Sequence, residues 1–213
     1  MSVQLPNGAL IAIATAYTAL QNTTILSNAN PAVATIVGHG WANGDIVEIT
    51  SGWSRLNNKL VRLSGVAANT FNLEGIDTSS TTLYPAGTGL GSARKITAFT
   101  QIAQVLELNS SGGDMQFVTY SFLEQDFETQ LPTQASPQQI SFTIADDQTL
   151  AGYIALKAAA LTRALTGFRV TLPNASVLYY NSYVNFDETP SMTKNQLMGV
   201  RGGFALQNRP VRY

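Results

Sequence analysis

One histidine and two nearby acids are the first residues of this chain whose types could support chemistry. His39, the only histidine, lies in the stretch "IVGHGWANGDIVEIT" (36–50), and Asp45 and Glu48 follow it. A metal site needs two to four convergent ligands, and the chain has no second histidine and no cysteine to complete one. A Ser/His/Asp arrangement needs a nucleophile in a strained turn such as G-x-S-x-G, and no serine lies in that motif. The stretch therefore carries no catalytic or metal signature.

The residues around His39 favour a turn instead. Gly38 and Gly40 can adopt backbone angles that other residues avoid, and the pair Asn43-Gly44 suits a type I′ turn between two hairpin strands. We interpret the stretch as the first hairpin of a small β region, with His39 held between the glycines that make the turn.

Two acidic pairs and one glycine-rich segment are the remaining candidates. Asp146 and Asp147 precede an amphipathic pattern, where helix capping explains them better than a glycosidase-like pair does. Asp187 and Glu188 come at the end of a strand pattern and fit a turn. The segment "GTGLGSA" (87–93) matches G-x-G-x-x-G only in part, and no apolar helix pattern follows it. We assign no catalytic, cofactor-binding or metal-ligating residue.

The composition points to assembly with other chains. Of 213 residues, 45% are hydrophobic and only 12% are charged, about half the usual share of roughly 25%. A surface with so few charges suits burial in subunit contacts, and a net charge of −1 gives no general affinity for nucleic acid or membrane. The sequence contains no secretory signal pattern and no apolar run of membrane-spanning length, so we expect folding in a cytoplasm.

Hydrophobic periodicity divides the chain into three zones. Residues 1–28 resemble an extended arm with a first strand, and residues 29–95 form a series of short strands separated by turns. Residues 96–213 are a second β region. It opens with two long strand patterns, 96–108 and 116–128, which the Gly-rich sequence "NSSGGD" joins as a predicted hairpin.

The third zone also contains one helix pattern. Apolar residues repeat at intervals of three and four over 147–166, with Asp146 or Asp147 as the predicted N-cap and Gly167 as the stop. The predicted fold class is therefore α+β, mainly β, with a sandwich or barrel and one flanking helix. Long strands without charge or proline leave exposed edges, which favour pairing with a neighbouring chain.

The third zone closely resembles tail tube proteins of long-tailed, siphovirus-like bacteriophages and prophages. The resemblance lies in "PQQISFTIADDQTLAGYIALKAA" and "FRVTLPNASVLYYNSYVNFDETPSMTKNQLMGVRGGFALQNRPVRY" and covers about 96–213, with a weaker likeness over 1–28. The second zone is similar to small β modules of phage tail and baseplate proteins, with its "GHG…NGD" and "ANTF" phrases. The resemblance implies a tail tube fold with a small all-β domain inserted at 29–95.

The resemblance also implies a structural role in the virion tail without enzymatic activity. Tail tube proteins form stacked hexameric rings whose strands build an inner β-barrel, and double-stranded DNA passes through it during ejection without sequence-specific binding. The implied partners are further copies of the chain, a tape measure protein and a tail terminator, with assembly in the host cytoplasm and no membrane. A lumen that conducts DNA is expected to be polar or acidic, since phosphate contacts would slow passage.

Subunit contacts are expected at the aromatic strand, the loop 125–138 and the two chain ends. The residues expected at these interfaces are Phe117, Tyr120, Phe122, Phe127, Leu131, Pro132, Arg209, Arg212 and Tyr213.

Two alternatives stay open from the sequence. One is another tail component of the same fold, such as a tail terminator or completion protein. The other is a receptor- or carbohydrate-binding tail module, which the Tyr-rich segment 177–188 and the small β region would serve.

Overall fold

Short β-branched and aromatic runs, each bounded by turn residues, make most of this chain extended. The computed structural model describes residues 7–213, with 49% strand and 6% helix, which confirms the mainly β prediction. The strands are β1 Leu10–Tyr17, β2 Gln21–Asn22, β3 Ile25–Leu26, β4 Ala32–Thr35, β5 Ile46–Ser51, β6 Lys59–Ser64, β7 Thr70–Leu73, β8 Gly91–Ile102, β9 Val105–Ser111, β10 Met115–Tyr120, β11 Thr129–Ala135, β12 Gln139–Ala145, β13 Thr166–Thr171, β14 Val177–Ser191, β15 Gly199–Leu206 and β16 Val211–Arg212. The first six residues of the expected N-terminal arm lie outside the described part.

Fourteen of the strands form one sheet in the order β3-β4-β7-β6-β5-β8-β1-β13-β14-β15-β12-β9 with β2 and β16 beside this path, and β10 and β11 form a separate pair. The long strand β8 joins the two halves of the sheet. Its first residues pair with β5 and β2, and its later residues pair with β1. The sheet does not close into a barrel within one chain.

Alternating apolar residues build three adjoining cores. One lies in the small β region around Trp41, Trp53 and Phe71, and one lies in the rest of the chain around Phe142, Phe168 and Phe204. A third cluster, which includes Leu60, Ile96 and Tyr179, connects them.

The helix α1, Ala151–Thr162, is shorter than predicted. Its N-cap is Leu150, with no side-chain capping bond, so the predicted cap at Asp146 or Asp147 is wrong. Asp147 instead accepts hydrogen bonds from the backbone N–H and the hydroxyl of Thr149. The helix ends at Arg163 in the left-handed conformation, and Gly167 lies within β13. α1 has 12 residues, which is too short to cross a membrane, and no other helix occurs in residues 7–213.

The stretch around His39 is not a hairpin, which corrects the prediction. β4 pairs with β3 and β7, whereas β5 pairs with β6 and β8, so the intervening loop crosses between non-neighbouring strands. Gly38, Gly40 and Gly44 have positive φ as expected. Asn43 does not, which excludes the type I′ turn because that turn needs positive φ at both central residues.

The predicted pairing of 96–108 with 116–128 is also wrong. The first segment breaks at Gln104, where φ is positive, and its two parts become the end of β8 and β9. β9 pairs with β12, and β10 pairs with β11, so the two ladders form one long ribbon whose turn lies at residues 121–128. "NSSGGD" is the bend of this ribbon. A Cβ at Gly112 would lie 2.0 Å from the carbonyl oxygen of Pro137, so the bend requires glycine there.

Candidate assembly interface

Four strands, β14, β15, β12 and β9, form an antiparallel sheet with one apolar and one polar face. On the inner face, Ile140, Phe142 and Phe204 pack into the core, together with the aromatic ring of Phe186 and the helix residue Tyr153. The opposite face carries residues from all four strands in register, and most of them are exposed: Glu107, Asn109, Ser111, Gln139, Ser141, Thr143, Arg201, Gly203, Ala205, Tyr183, Asn185 and Asp187. Two large side chains with apolar surface also lie on or beside this face: Tyr183 and Leu106, whose Cδ1 would lie 3.6 Å from a Cβ placed on Gly199.

The charges on the polar face are two carboxylates and one guanidinium, a net of −1 for each chain. Register places Thr143 between Glu107 and Arg201, with Asp187 on the other side of Arg201. Hydrogen bonds from the Thr189 backbone N–H and hydroxyl stabilise the Asp187 carboxylate and lower its pKa. The face is polar and weakly acidic.

This four-stranded sheet has an open edge on β9. Leu206 N–H donates to Gln138 O, and Ala145 N–H donates to Gln104 O, which fixes the direction of the backbone groups along β12. Backbone groups of successive residues point to opposite sides of a strand, so Ser141 directs its N–H and C=O groups to its partner Asn109 on β9. The neighbours of Asn109, Leu108 and Ser110, therefore direct their N–H and C=O groups away from β12. β9 has no other partner among residues 7–213.

The second open edge is the distal half of β14. β13 pairs with β14 only up to Ser182, and the pairing with β15 begins there. Gln207 N–H donates to Asn181 O on the β15 side, so Val184 and Phe186 direct their backbone groups to the other side by the same alternation. Within the described residues no strand pairs with that side beyond Ser182.

The β10–β11 pair is an arm that extends beyond the bend at Gly112. No residue of the arm belongs to any of the three cores. An isolated two-stranded hairpin is marginally stable in water at best. Large apolar side chains nevertheless remain between 49% and 107% exposed along the arm: Met115, Phe117, Val118, Phe122, Leu123, Phe127 and Leu131. These properties favour an arm that is covered by another chain.

The structure gathers six of the nine predicted interface residues on this arm. Phe117 lies opposite Pro132 in the ladder, and Leu131 lies opposite Val118. Tyr120 contacts Phe122 at a ring-centroid distance of 5.5 Å, and Phe127 lies in the turn. The segment expected as a loop at 125–138 contains strand β11, which the sequence prediction missed because Gln, Thr and Pro weaken its pattern.

The other three predicted residues lie at the C-terminus. Arg209 is exposed, and Arg212 donates from its Nε to the hydroxyl of Ser176 at 2.7 Å. Tyr213 is held within its own chain. Its hydroxyl accepts a hydrogen bond from the backbone N–H of Arg62 and donates one to the backbone carbonyl of Glu74, both at 2.9 Å. Burial raises the pKa of Tyr213 to about 12.

The residues first considered for chemistry have structural contacts. His39 is 6% exposed, its Nδ1 accepts from Trp41 N–H, and its Nε2 lies 3.0 Å from Ala67 O. Asp45 pairs with Lys95, and Glu48 pairs with Arg94. Asp45 and Glu48 therefore do not converge on His39, and no group of three or more possible metal ligands occurs in residues 7–213.

Comparison with known proteins identifies a family. A family model described as phage tail tube protein (TTP) matches residues 51–213. The match begins inside the small β region and includes β8 to β16 and the arm. No curated protein matches the chain.

Proposed function

The chain belongs to the phage tail tube protein family, and on this premise we propose that it forms stacked hexameric rings in a siphovirus-like tail. The stacked rings form the conduit through which DNA is ejected into the host cell. The family assigns the chain a structural role in the virion tail. The ring symmetry, the conduit and the type of phage are parts of the proposal.

We propose the same division of the chain as the sequence indicates. Residues 1–28 and 96–213 form the tube domain, and residues 29–95 form a small β module that decorates the outside. A separate core around Trp53 and Phe71 supports this division. The boundary at 95–96 lies within β8, which would carry the connection between the two parts.

The observation that carries the proposal is a four-stranded antiparallel sheet with two open edges. An even number of antiparallel strands leaves β9 and the distal half of β14 running in opposite directions. The β9 edge of one copy can therefore pair antiparallel with the β14 edge of the next. This contact joins two different surfaces, so it repeats around a ring until the barrel closes.

The polar face of the same sheet supports an inward position facing DNA. Its apolar side is already filled by the core, so the polar face is the one that a barrel can leave open to water. Its net negative charge would repel phosphate and prevent retention of the duplex. Burial of both open edges would also satisfy the unpaired groups of Leu108, Ser110, Val184 and Phe186.

We propose that the arm makes the contacts between successive rings. The arm residues are Phe117, Tyr120, Phe122, Phe127, Leu131 and Pro132, and the C-terminal residues Arg209, Arg212 and Tyr213 are proposed to lie near these contacts. Further partners are a tape measure protein inside the tube and a tail terminator at its end, with assembly in the host cytoplasm.

Cysteine cross-linking tests the ring directly, because the natural chain contains no cysteine. Side chains on the polar face are closest across the non-hydrogen-bonded pairs of the new interface, at about 4.5–5.5 Å between Cβ atoms. Asn109→Cys is combined in turn with Tyr183→Cys, Asn185→Cys and Asp187→Cys. The three combinations cover three possible registers of β9 in one copy against β14 in the next. We expect one pair to give a covalent ladder up to the closed ring on oxidation, while each single variant gives at most dimers.

Electron microscopy of the wild-type protein supplies the second measurement. Stacked rings with an axial channel are expected. Single rings that do not stack would favour a terminator or completion protein, and monomers that bind host glycans would favour a receptor-binding module. Wild-type tubes without a cross-linked ladder from any pair would refute the assignment of the two edges.

A further inference from the structure

Three basic residues converge on a cleft beside the C-terminal segment. Arg55, Lys59 and Arg209 line this cleft of about 440 Å³, together with Tyr84 and Asn208. Asn208 donates from its amide to the carbonyl of Asn57 at 2.9 Å, which holds the C-terminal segment against the turn after Trp53. The cleft is thus built from two distant parts of the sequence.

No acid neutralises these cations within residues 7–213. The ion pairs in this range involve Arg62, Arg94, Lys95 and Lys157 and leave the three cleft residues out. Burial, followed by the charges of Arg209 and Arg55, lowers the pKa of Lys59, so the three charges also act on one another. A cluster of this kind is stabilised by an anionic group from outside the chain.

The opposite charge lies at the tip of the arm. Glu124, Asp126 and Glu128 follow one another around the turn, and all three are exposed. The sequence contains no Lys or Arg between Lys95 and Lys157, so the whole arm lacks an internal counterion. The tip has three carboxylates, and the cleft has three cations.

We propose that the acidic tip of one copy docks into the basic cleft of a second copy. This inference rests on the proposed function, because it names the acceptor surface for the arm between neighbouring subunits. The tip and the cleft are different surfaces of one chain, so the contact is heterologous and repeats through an open assembly. Phe122 and Leu123 are exposed beside the acidic tip and would pack against the cleft wall that includes Tyr84.

Charge reversal with rescue tests the proposal. The first variant reverses the tip with Glu124→Lys, Asp126→Lys and Glu128→Lys, and the second reverses the cleft with Arg55→Glu and Arg209→Glu. Reversal replaces attraction between the tip and the cleft by repulsion, so each variant should raise the protein concentration needed for tube formation by roughly 3- to 150-fold. The variant that carries both sets should assemble within several-fold of the wild type.

The matched control reverses two exposed cations away from the cleft, Arg163→Glu and Lys194→Glu. It should assemble like the wild type. Circular dichroism and the unfolding temperature verify that each variant is folded. The proposal would be overturned if both reversed variants assemble like the wild type. It would also be overturned if the variant that carries both sets of substitutions is folded but does not regain assembly. Loss of binding to a short DNA duplex by the cleft variant, with assembly unchanged, would assign the cleft to nucleic acid and overturn it as well.

A cross-link separates this inference from the ring proposal. Asp126→Cys and Arg55→Cys placed in different copies should form an intermolecular disulfide in any oligomer, even where no tube is seen. Absence of this disulfide in wild-type-like tubes would reject the docking while leaving the hexameric ring intact. Its presence without rings would reject the ring while supporting the docking.

Discussion

A proline at Ser110 should abolish ring formation and leave the isolated chain folded. Ser110 is exposed on β9 and directs its N–H to the open edge, so proline removes no hydrogen bond from the monomer. The matched control is Asn109→Pro, one residue earlier. Asn109 directs its N–H towards Ser141 in β12, so that control should lose a ladder bond and destabilise the folded chain.

Ser110→Pro should weaken the contact between copies, whereas Asn109→Pro should weaken the folded monomer. Loss of one interstrand bond and the steric conflict of the proline ring should weaken each contact between copies by about 1–3 kcal/mol. This corresponds to roughly 5- to 150-fold weaker pairing at each contact, and the effect multiplies around a closed ring. Asn109→Pro should instead lower the free energy of unfolding of the monomer by about 3 kcal/mol.

Light scattering for mass and thermal unfolding for stability distinguish these outcomes. Ser110→Pro should remain a monomer with an unfolding temperature close to that of the wild-type monomer at low concentration. The reasoning fails if Ser110→Pro forms normal rings, because a free edge at Leu108 and Ser110 would then have no part in assembly. It also fails if Ser110→Pro and Asn109→Pro destabilise the monomer equally, because the alternation assigned to β9 would then be wrong.

Three further predictions concern the bend, the C-terminus and the histidine. Gly112→Ala should permit rings but prevent their stacking, because the new Cβ would lie 2.0 Å from Pro137 O and distort the bend. Gly113→Ala is the control and should have a smaller effect, since the nearest atom to its Cβ is in the Gln138 side chain at 3.7 Å. Normal stacking of Gly112→Ala in electron microscopy would contradict this prediction. The folded-state pKa of Tyr213 is raised from 10.0 to about 12, so its contribution to stability is full below pH 10 and is lost as the pH rises towards 12; Tyr213→Phe should remove this alkaline loss in unfolding measurements. His39→Ala should lower stability by about 2–4 kcal/mol, because it leaves Trp41 N–H and Ala67 O without their partner. It should leave tube assembly intact at low temperature, and loss of assembly in a folded variant would show that the loop around His39 itself contributes to the tube contacts.

The sequence predicted the elements with strong local patterns. "QISFTIA" alternates over its full length because one face is buried, and β12 occupies the same residues, 139–145. The helix was located by its apolar repeat, but its start was misplaced. The Asp147 carboxylate accepts from Thr149 in the loop before α1, and Asp146 donates its backbone N–H to the Met198 carbonyl. Acidic residues before a helix pattern do not by themselves distinguish a loop contact from a cap.

Strand pairing was harder to predict, since it depends on contacts distant in sequence. Gly112-Gly113 has the composition of a hairpin turn but forms a bend, and the true turn "SFLEQDFE" has no Gly, Pro or Asn to mark it. The polar face and the basic cleft were missed for the same reason. Thr143 and Arg201 become neighbours only through the β12–β15 register, and Arg209 reaches Arg55 only after the C-terminal segment folds back.

The low charge content acquires a physical explanation from this geometry. The open edges and the apolar arm must leave water when copies associate, and burying unpaired charge there would oppose association. The few charges therefore remain where they can stay hydrated or meet an opposite charge. Glu107, Arg201 and Asp187 lie on the polar face, whereas the three acids of the tip and the three cations of the cleft lie on separate surfaces. If assembly depends mainly on edges and apolar contacts, salt should weaken the tip-to-cleft contact more than the ring contact. Raising the salt concentration should then convert tubes into separate rings before any ring dissociates, and electron microscopy of a salt series would show the reverse order if charges instead held the ring together.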